Sequence, residues 1–287
     1  MTKTLQNGPR ALDHVVLPTA SLAVARERLT SLGFTVAPRG IHPFGTVNCC
    51  IYLADGTFLE PLALGDVVAA DQAVAVGNVF VARDRSFRAA HGDDGFSAVV
   101  FASEDADADH RRYVEAGVSA GPRLDFSRPF VDAGGLADVA SFRLAFAAEP
   151  SNAGDAFFFA CERANAPNVD RSALQAHANG ASRVVAVEAR AGDAASAAAF
   201  LAMVARSVAG VASGGAKVPL ANADVMVRAS AGRKHIQLDA IVFAVGDLAA
   251  ARALLVRNGI AHDLSGQRLV IPPAPGQGAA FIFEEKS

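Results

Sequence analysis

The chain has 287 residues, of which 52% are hydrophobic, and a formal net charge of −3. A chain of this length fits about two domains. No run of Lys or Arg stands out, which argues against nucleic acid or an anionic membrane surface as the main partner.

The sequence predicts a cytoplasmic location. The N-terminal residues MTKTLQNGPR are polar and lack the apolar segment of a secretion signal. No apolar stretch approaches the roughly 20 residues that a membrane-spanning helix needs. The three cysteines form no CxxC pair, and this usage is typical of a reducing compartment.

The first predicted unit is a strand, a helix and a hairpin. The apolar strand LDHVVL precedes a helix that is capped by Ser21 and ends before Gly33. The segments VNCCIYLA and TFLEPLAL then flank Asp55-Gly56, which is the strongest short signal for a hairpin. A two-residue loop at this point pairs Ile51 with Glu60.

The pattern of strand, helix and glycine occurs three more times, in SAVVFASEDADADHRRYVEAGV, AVEARAGDAASAAAFLAMVARSVAG and AIVFAVGDLAAARALLVRNGI. In the last copy Asp247 takes the place of Ser21, and Gly259 that of Gly33, without a gap. Strand and turn patterns follow each copy, as in SFRLAFAAE and DAFFFACE. We therefore predict an α+β protein with four βαβββ units.

A linker is predicted between the second and the third unit. Pro167 and the turn at Asn179-Gly180 interrupt the strand and helix patterns there. We expect a first domain at residues 1–165, a linker at 166–180 and a second domain at 181–287.

Four βαβββ units in pairs resemble the vicinal oxygen chelate superfamily, which includes glyoxalase I, extradiol dioxygenases and bleomycin-resistance proteins. The segments LDHVVL, GTVNCCIYLADGTFLE, HANG and LVIPPAPGQGAAFIF resemble signature elements of its glyoxalase-like domain proteins. The resemblance implies that two units form a cup-shaped mixed sheet with a divalent metal ion inside. It also implies that the metal ligands come from the first and last strands of each unit.

Two ionisable side chains interrupt apolar strands of the first unit. His14 lies in the middle of LDHVVL, and Glu60 is the one charged residue on its face of the hairpin. Burying either group is costly unless it is paired, protonated or bound to a metal ion, so we expect the two to meet. Imidazole and carboxylate suit Zn, Mn, Fe or Ni. The alternative is a structural hydrogen bond between His14 and Glu60.

A catalytic metal ion usually has three protein ligands. Glu162, at the end of the strand AFFFACE, is the candidate for the third, and its alternative is a solvated strand end. Relatives often carry a glutamate where this chain has Ile282. The second domain is therefore predicted to be a metal-free scaffold or the wall of a cleft. The place of His14 is held in the other three units by Ser97, Ala186 and Ala240.

Four further polar residues are candidates for substrate binding. Arg143 and Arg128 could meet a substrate carboxylate, and each could equally form a surface salt bridge. His42 lies in a loop at the expected rim of the cup and could equally be an ordinary loop histidine. Asn48 points to the face opposite Glu60 if its strand is regular.

We expect an enzyme of the glyoxalase-like class that binds a small metabolite with vicinal oxygens in the first cup. A divalent metal ion on His14 and Glu60 would polarise those oxygens, and Glu60 or Glu162 would move a proton. Isomerase, lyase and dioxygenase chemistry stay open. The alternative is a metal-free protein that binds or sequesters a small molecule, as bleomycin-resistance proteins do. The superfamily often dimerises, so a homodimer is a further possibility.

Overall fold

Two mixed sheets, each formed by one part of the chain, make up the protein. The computed structural model describes residues 8–131, 137–152, 154–166 and 169–286. The first sheet contains β1 (Leu12–Pro18), β2 (Gly40–Ile41), β3 (Thr46–Asn48), β4 (Ile51–Tyr52), β5 (Phe58–Leu64), β6 (Ala98–Ser103), β7 (Leu124–Val131), β8 (Ala137–Ala147) and β9 (Phe157–Asn165). The second contains β10 (Ala181–Ala191), β11 (Gly210–Ala212), β12 (Gly215–Pro219), β13 (Asp224–Ala229), β14 (Gln237–Val245), β15 (Asp263–Ser265), β16 (Arg268–Ile271) and β17 (Ala280–Glu285).

Helices connect these strands, and their predicted ends are confirmed. The side chains of Ser21 and Asp247 accept backbone N–H groups at two helix starts, and Gly33 and Gly259 follow the same two helices with positive φ angles of 86° and 65°. Among the described residues, no helix is long and apolar enough to cross a membrane. The helices are α1 (Leu22–Ser31), α2 (Val67–Ala75), α3 (Val79–His91), α4 (Ala106–Glu115), α5 (Ser172–Gln175), α6 (Ala194–Val204) and α7 (Leu248–Arg257).

Each sheet joins two βαβββ units side by side. In the first sheet β1 pairs in parallel with β5 and antiparallel with β6, and β6 pairs in parallel with β9. In the second sheet β10 pairs in the same two ways with β13 and β14, and β14 pairs in parallel with β17. The predicted α+β fold of four repeated units is therefore confirmed. Pro167, one of the two signals for the linker, lies outside the described residues.

The two faces of the first sheet pack against different partners. We call the face that carries His14, Val16 and Glu60 the inner face, and the face that carries Val15 and Val99 the outer face. The outer face belongs to an apolar core that it shares with α1, α4, α6, α7 and the second sheet. The inner face has a separate core, which α2 and α3 complete.

The pair α2 and α3 is an insertion that the sequence analysis did not predict. Phe80 and Val81 of α3 and Ala70 of α2 are buried in the core of the inner face. Asp66 and Asn78 cap the two helices through side-chain oxygens. Both are residue types that favour helix starts, so they are the sequence signals from which the two helices could have been predicted. The insertion covers the part of the inner face formed by β1, β5 and β6 and buries it.

The first hairpin has a longer loop than the predicted one. The N–H of Leu53 donates to the carbonyl of Thr57 at 2.8 Å, so the loop holds the three residues 54–56 instead of two. Oδ1 of Asp55 accepts from the N–H and the hydroxyl of Thr57 at 3.0 and 2.6 Å. Gly56 closes the loop with a φ of 89°, a left-handed conformation that glycine adopts without strain.

This loop changes the register of the hairpin by one residue. Ile51 pairs with Leu59 and not with Glu60, and Asn48 pairs with Leu62. A slip of one residue moves each side chain to the other face of a sheet. The prediction that Asn48 points away from Glu60 is therefore wrong, because both side chains lie on the inner face.

Arg88 of α3 attaches the insertion to the sheet, and its loss should destabilise the fold. Its guanidinium donates to the carbonyls of Leu62 and Thr19 at 2.8 and 3.2 Å and to Oδ2 of Asp84 at 2.8 Å. Asp84 is 1% exposed, so Arg88→Met leaves a buried acid without its partner. We expect a loss of about 3 kcal/mol in the free energy of unfolding, measured by urea denaturation.

The matched control is Arg85→Met on the same helix. Arg85 pairs with Asp71 at 2.6 Å, but Arg85 is partly exposed and Asp71 is exposed. An exposed pair contributes about 0–1 kcal/mol. Equal losses in the two variants would contradict the anchoring role of Arg88.

Candidate functional site

Four buried polar side chains meet on the inner face of the first sheet. Nε2 of His14 lies 3.6 Å from Oε2 of Glu60, and Nε2 of His42 lies 3.6 Å from Oε1 of the same carboxylate. Nδ2 of Asn48 donates to Oε1 at 2.6 Å. We call these four residues the Glu60 cluster. Because 3.6 Å is too long for a hydrogen bond, each imidazole faces the carboxylate without bonding to it.

Asp13 orients His14, and the sequence analysis did not single it out. The pairing of β1 with β6 shifts register between Leu12 and His14, which makes Asp13 the extra residue of a β-bulge. Nδ1 of His14 donates to Oδ1 of Asp13 at 2.6 Å, and Arg163 donates to Oδ2 at 2.9 Å. Because Nδ1 is bonded to Asp13, the ring is held with Nε2 directed at Glu60.

The bond also keeps Asp13 ionised. Burial raises the pKa of Asp13, but the hydrogen bond from His14 and the charges of His14 and Arg163 outweigh it and hold this pKa below its usual value. The result is a carboxylate–imidazole pair in which Asp13 fixes the ring and Arg163 fixes Asp13.

His42 reaches the cluster from the tight turn between β2 and β3. The backbone N–H of His42 donates to the carbonyl of Thr46 at 2.9 Å, and the ring Nδ1 lies 2.8 Å from the Thr46 hydroxyl. Burial lowers the pKa of His42 to about 4, although the charge of Glu60 opposes this shift, and the charges of Arg128 and His14 add to it. His42 is therefore uncharged at neutral pH.

Aromatic rings enclose the cluster. His14 stacks on Phe58 with ring centroids 4.3 Å apart, and His42 stacks on Phe44 at 5.0 Å. The edges of further rings contact the two imidazoles within about 6 Å, which is the range of aromatic contacts. These rings belong to Phe80, Phe126 and Phe159. The carboxylate of Glu60 thus lies in surroundings of low polarity.

Two of the predicted site residues lie away from the cluster. Oε2 of Glu162 accepts from the N–H of Ala106 at the start of α4, on the outer face, while its chain neighbour Cys161 packs on the inner face. Strand alternation therefore directs Glu162 away from Glu60. Arg143 is 45% exposed in its side chain and lies 3.6 Å from Oε1 of Glu162, an arrangement that matches its surface alternative.

The place of His14 in the second unit is held by Ala98 and not, as predicted, by Ser97. His14 lies seven residues before the cap Ser21, and the residue seven places before the cap Asp105 is Ala98. Ser97 lies outside the strand, and its buried hydroxyl has no hydrogen-bond partner in the described parts of the chain.

The donor atoms of the Glu60 cluster suit a divalent metal ion in kind. Two imidazole nitrogens and one carboxylate are a common ligand set for transition metals. Yet within residues 8–131, 137–152, 154–166 and 169–286, no three or more His, Cys, Asp and Glu side chains are arranged as a group that could hold a metal ion. Oε1 of Glu60 is engaged by Asn48 instead. The donor types fit a metal ion, and their present arrangement does not.

The chain belongs to the glyoxalase-like domain family. A family model described as "Glyoxalase-like domain" matches residues 12–205, which include all of the first sheet and the first strand and helix of the second half. This match and the fold place the chain in the vicinal oxygen chelate superfamily. A search of curated proteins found no match.

Solved structures share the fold across nearly the whole chain. A hypothetical protein from Staphylococcus aureus is 12% identical, with a TM-score of 0.66 and coverage of 96% of this chain and 99% of its own. A mutant of 4-hydroxymandelate synthase from Streptomyces coelicolor is 14% identical, with a TM-score of 0.60 and coverage of 98% and 94%. A catechol 2,3-dioxygenase is 12% identical, with a TM-score of 0.53 and coverage of 98% and 89%. At these identities the likeness concerns the fold alone.

The low pKa of His42 predicts a loss of stability in acid. The folded protein binds a proton on His42 only near pH 4, whereas the unfolded chain binds it near pH 6.5. Between these values the unfolded state holds more protons, so stability falls as the pH falls, by up to about 3 kcal/mol from this group. His42→Gln should flatten this part of the curve when urea denaturation is measured from pH 7 to pH 4.

The comparison isolates His42 because His177, whose pKa burial also lowers, is present in both proteins. If wild type and His42→Gln lost stability equally over this range, the buried, uncharged state of His42 would be refuted.

Proposed function

We propose that the protein is an enzyme of the vicinal oxygen chelate type and that the Glu60 cluster is its active centre. The observation that supports this is the carboxylate of Glu60, which is 5% exposed and faces two imidazole nitrogens without a hydrogen bond to either. Such a group is costly to bury, and stability alone gives no reason to keep it. Costly clusters of ionisable groups occur mainly at functional sites.

Each member of the cluster has a distinct role in this proposal. Glu60 accepts a proton from the substrate at one of its oxygens and later returns it. Because water is largely excluded from the site, the proton is not lost to solvent. Asn48 holds the carboxylate plane through its bond to Oε1. Asp13 fixes the ring of His14 so that Nε2 points inward, and the uncharged His42 offers a second nitrogen.

A divalent metal ion is the cofactor that the superfamily implies, and His14, Glu60 and His42 are the residues of the right type to hold it. When bound, such an ion would polarise adjacent oxygens of a substrate. The sequence-based set of His14, Glu60 and Glu162 is replaced here, because Glu162 caps α4. Since the present arrangement is not a metal site, no step of the proposal depends on the ion.

A metal-free binding protein is the second candidate. The absence of an arranged metal group in the described residues and the small or apolar residues in the slots Ala98, Ala186 and Ala240 favour it. In that case the inner face would hold a small molecule without changing it. We also propose that the second half, residues 181–287 after a linker at 166–180, is a scaffold for the first domain at 1–165.

The test of the enzyme proposal is a screen of small vicinal-oxygen compounds, namely 2-oxoaldehyde hemithioacetals, catechols and 2-oxo acids, with and without Mn, Fe, Ni and Zn. We expect turnover of at least one class. Glu60→Gln should lower that turnover by about 100-fold or more, the size of a lost general acid–base step. Glu162→Gln is the matched control and should retain the wild-type rate.

Metal content, measured by mass spectrometry on the reconstituted proteins, separates the two candidates. A stoichiometric ion that His14→Asn and Glu60→Gln abolish, and Glu162→Gln does not, supports the metalloenzyme form. Turnover that is equal in wild type and Glu60→Gln contradicts the enzyme proposal. No turnover and no metal in the wild type leave the binding protein as the function.

A further inference from the structure

Arg128 lies on the inner face of the first sheet, next to the Glu60 cluster. It is a residue of β7 and pairs with Ala140 of β8. The next pair on the same face, two residues along each strand, is that of the stacked rings of Phe126 and Phe142. Its guanidinium carbon lies 5.8 Å from the centroid of the Phe142 ring. The side chain is half-buried, so the charge is held against the sheet and is not free in solution.

Gly40 makes room for this guanidinium. A Cβ atom at Gly40 would lie 2.8 Å from Nη1 of Arg128 and would overlap with Oδ1 of Asn48. The backbone of Gly40 is not in the left-handed region, so the constraint is one of space and not of conformation. Arg128 therefore reaches the same point as Asn48, whose amide contacts Glu60.

Within the residues that the structure describes, no carboxylate pairs with the charge of Arg128. Arg163 pairs with Asp13, and Arg143 lies close to Glu162. In the described parts of the chain, by contrast, no ion pair within 4 Å joins Arg128 to an acid. Arg128 is among the charges that lower the pKa of His42, after the larger effect of burial, which agrees with a position facing the cluster.

We propose that Arg128 binds the carboxylate group of the substrate and that the substrate class is a small carboxylate with an apolar or aromatic body. The planar guanidinium suits two-pronged bonding to a carboxylate. The rings of Phe126 and Phe142 offer an apolar surface beside it. This inference rests on the proposed function in one respect only, namely that the inner face of the first sheet is the binding site.

The test uses benzoate and phenylacetate as probes, with benzamide and phenylacetamide as uncharged analogues of the same shape. Binding is measured by calorimetry on the full chain. We expect the carboxylates to bind wild type at least about tenfold more tightly than the amides, a ratio typical of one charge-assisted contact. Arg128→Met should weaken carboxylate binding by about tenfold or more and leave the amides unchanged. Arg128→Lys should restore part of the loss.

The matched control is Arg143→Met, which removes an arginine from the neighbouring strand but from the exposed side. It should bind the carboxylates as wild type does. Thermal unfolding of both variants verifies that they are folded. Equal binding of acids and amides by wild type, no effect of Arg128→Met, or no binding of the carboxylates at millimolar concentration would each overturn the inference.

The outcome is separate from that of the enzyme proposal, because binding is measured without turnover. Carboxylate binding that depends on Arg128, together with no turnover in the substrate screen, would retain the inference and reject the enzyme. Turnover that depends on Glu60, together with carboxylate binding that is unchanged in Arg128→Met, would support the enzyme proposal and reject the inference.

Discussion

The buried carboxylate of Glu60 is the constraint on which the inner face of the first sheet is organised. Water would stabilise this group, and the insertion of α2 and α3 keeps water away from it. The chain instead surrounds it with the amide of Asn48 and with two imidazoles at 3.6 Å. Apolar packing elsewhere offsets the free energy that this buried carboxylate costs, since the outer face shares a large apolar core with the second half.

The two halves show how one unit can be used in two ways. Within the described residues, His14 is the imidazole in its slot, while Ala98, Ala186 and Ala240 fill the equivalent positions. The corresponding face of the second sheet carries a small apolar cluster, in which no helical insertion packs, and ion pairs from Arg268 to Glu188 and Glu284. The polar site therefore belongs to the half of the chain that carries the helical insertion, whereas the bulge at Asp13 recurs at Asp239 of β14.

The repeat itself could be predicted from the sequence, because it depends on local signals. Helix caps such as Ser21 and end glycines such as Gly33 act within a few residues, and apolar periodicity separates strands from helices. The contact between His14 and Glu60 was also predictable, since each is an ionisable group in an apolar strand. A homodimer stays a prediction.

The remainder of the site depends on backbone details that no local pattern reveals. Asp13 and His14 are chain neighbours, and regular strand alternation would direct their side chains to opposite faces. The bulge brings the two side chains together. Asn48 contacts Glu60 because the hairpin loop has three residues. A two-residue loop would direct the side chain of Asn48 to the opposite face. Glu162 was misjudged for the complementary reason: its strand is regular, but the face it shares with Phe158 and Ala160 is the outer one.

The most direct test of this account is the titration of His42 by NMR in wild type and in Glu60→Gln, with ¹⁵N-labelled histidine. The account predicts a pKa for His42 near 4 in wild type, because the ring is buried. It predicts a lower value in Glu60→Gln, because the charge of Glu60 is the main influence that raises this pKa. A pKa near 6.5, or a pKa that does not respond to the loss of Glu60, would contradict the claim that these groups form one buried, coupled site.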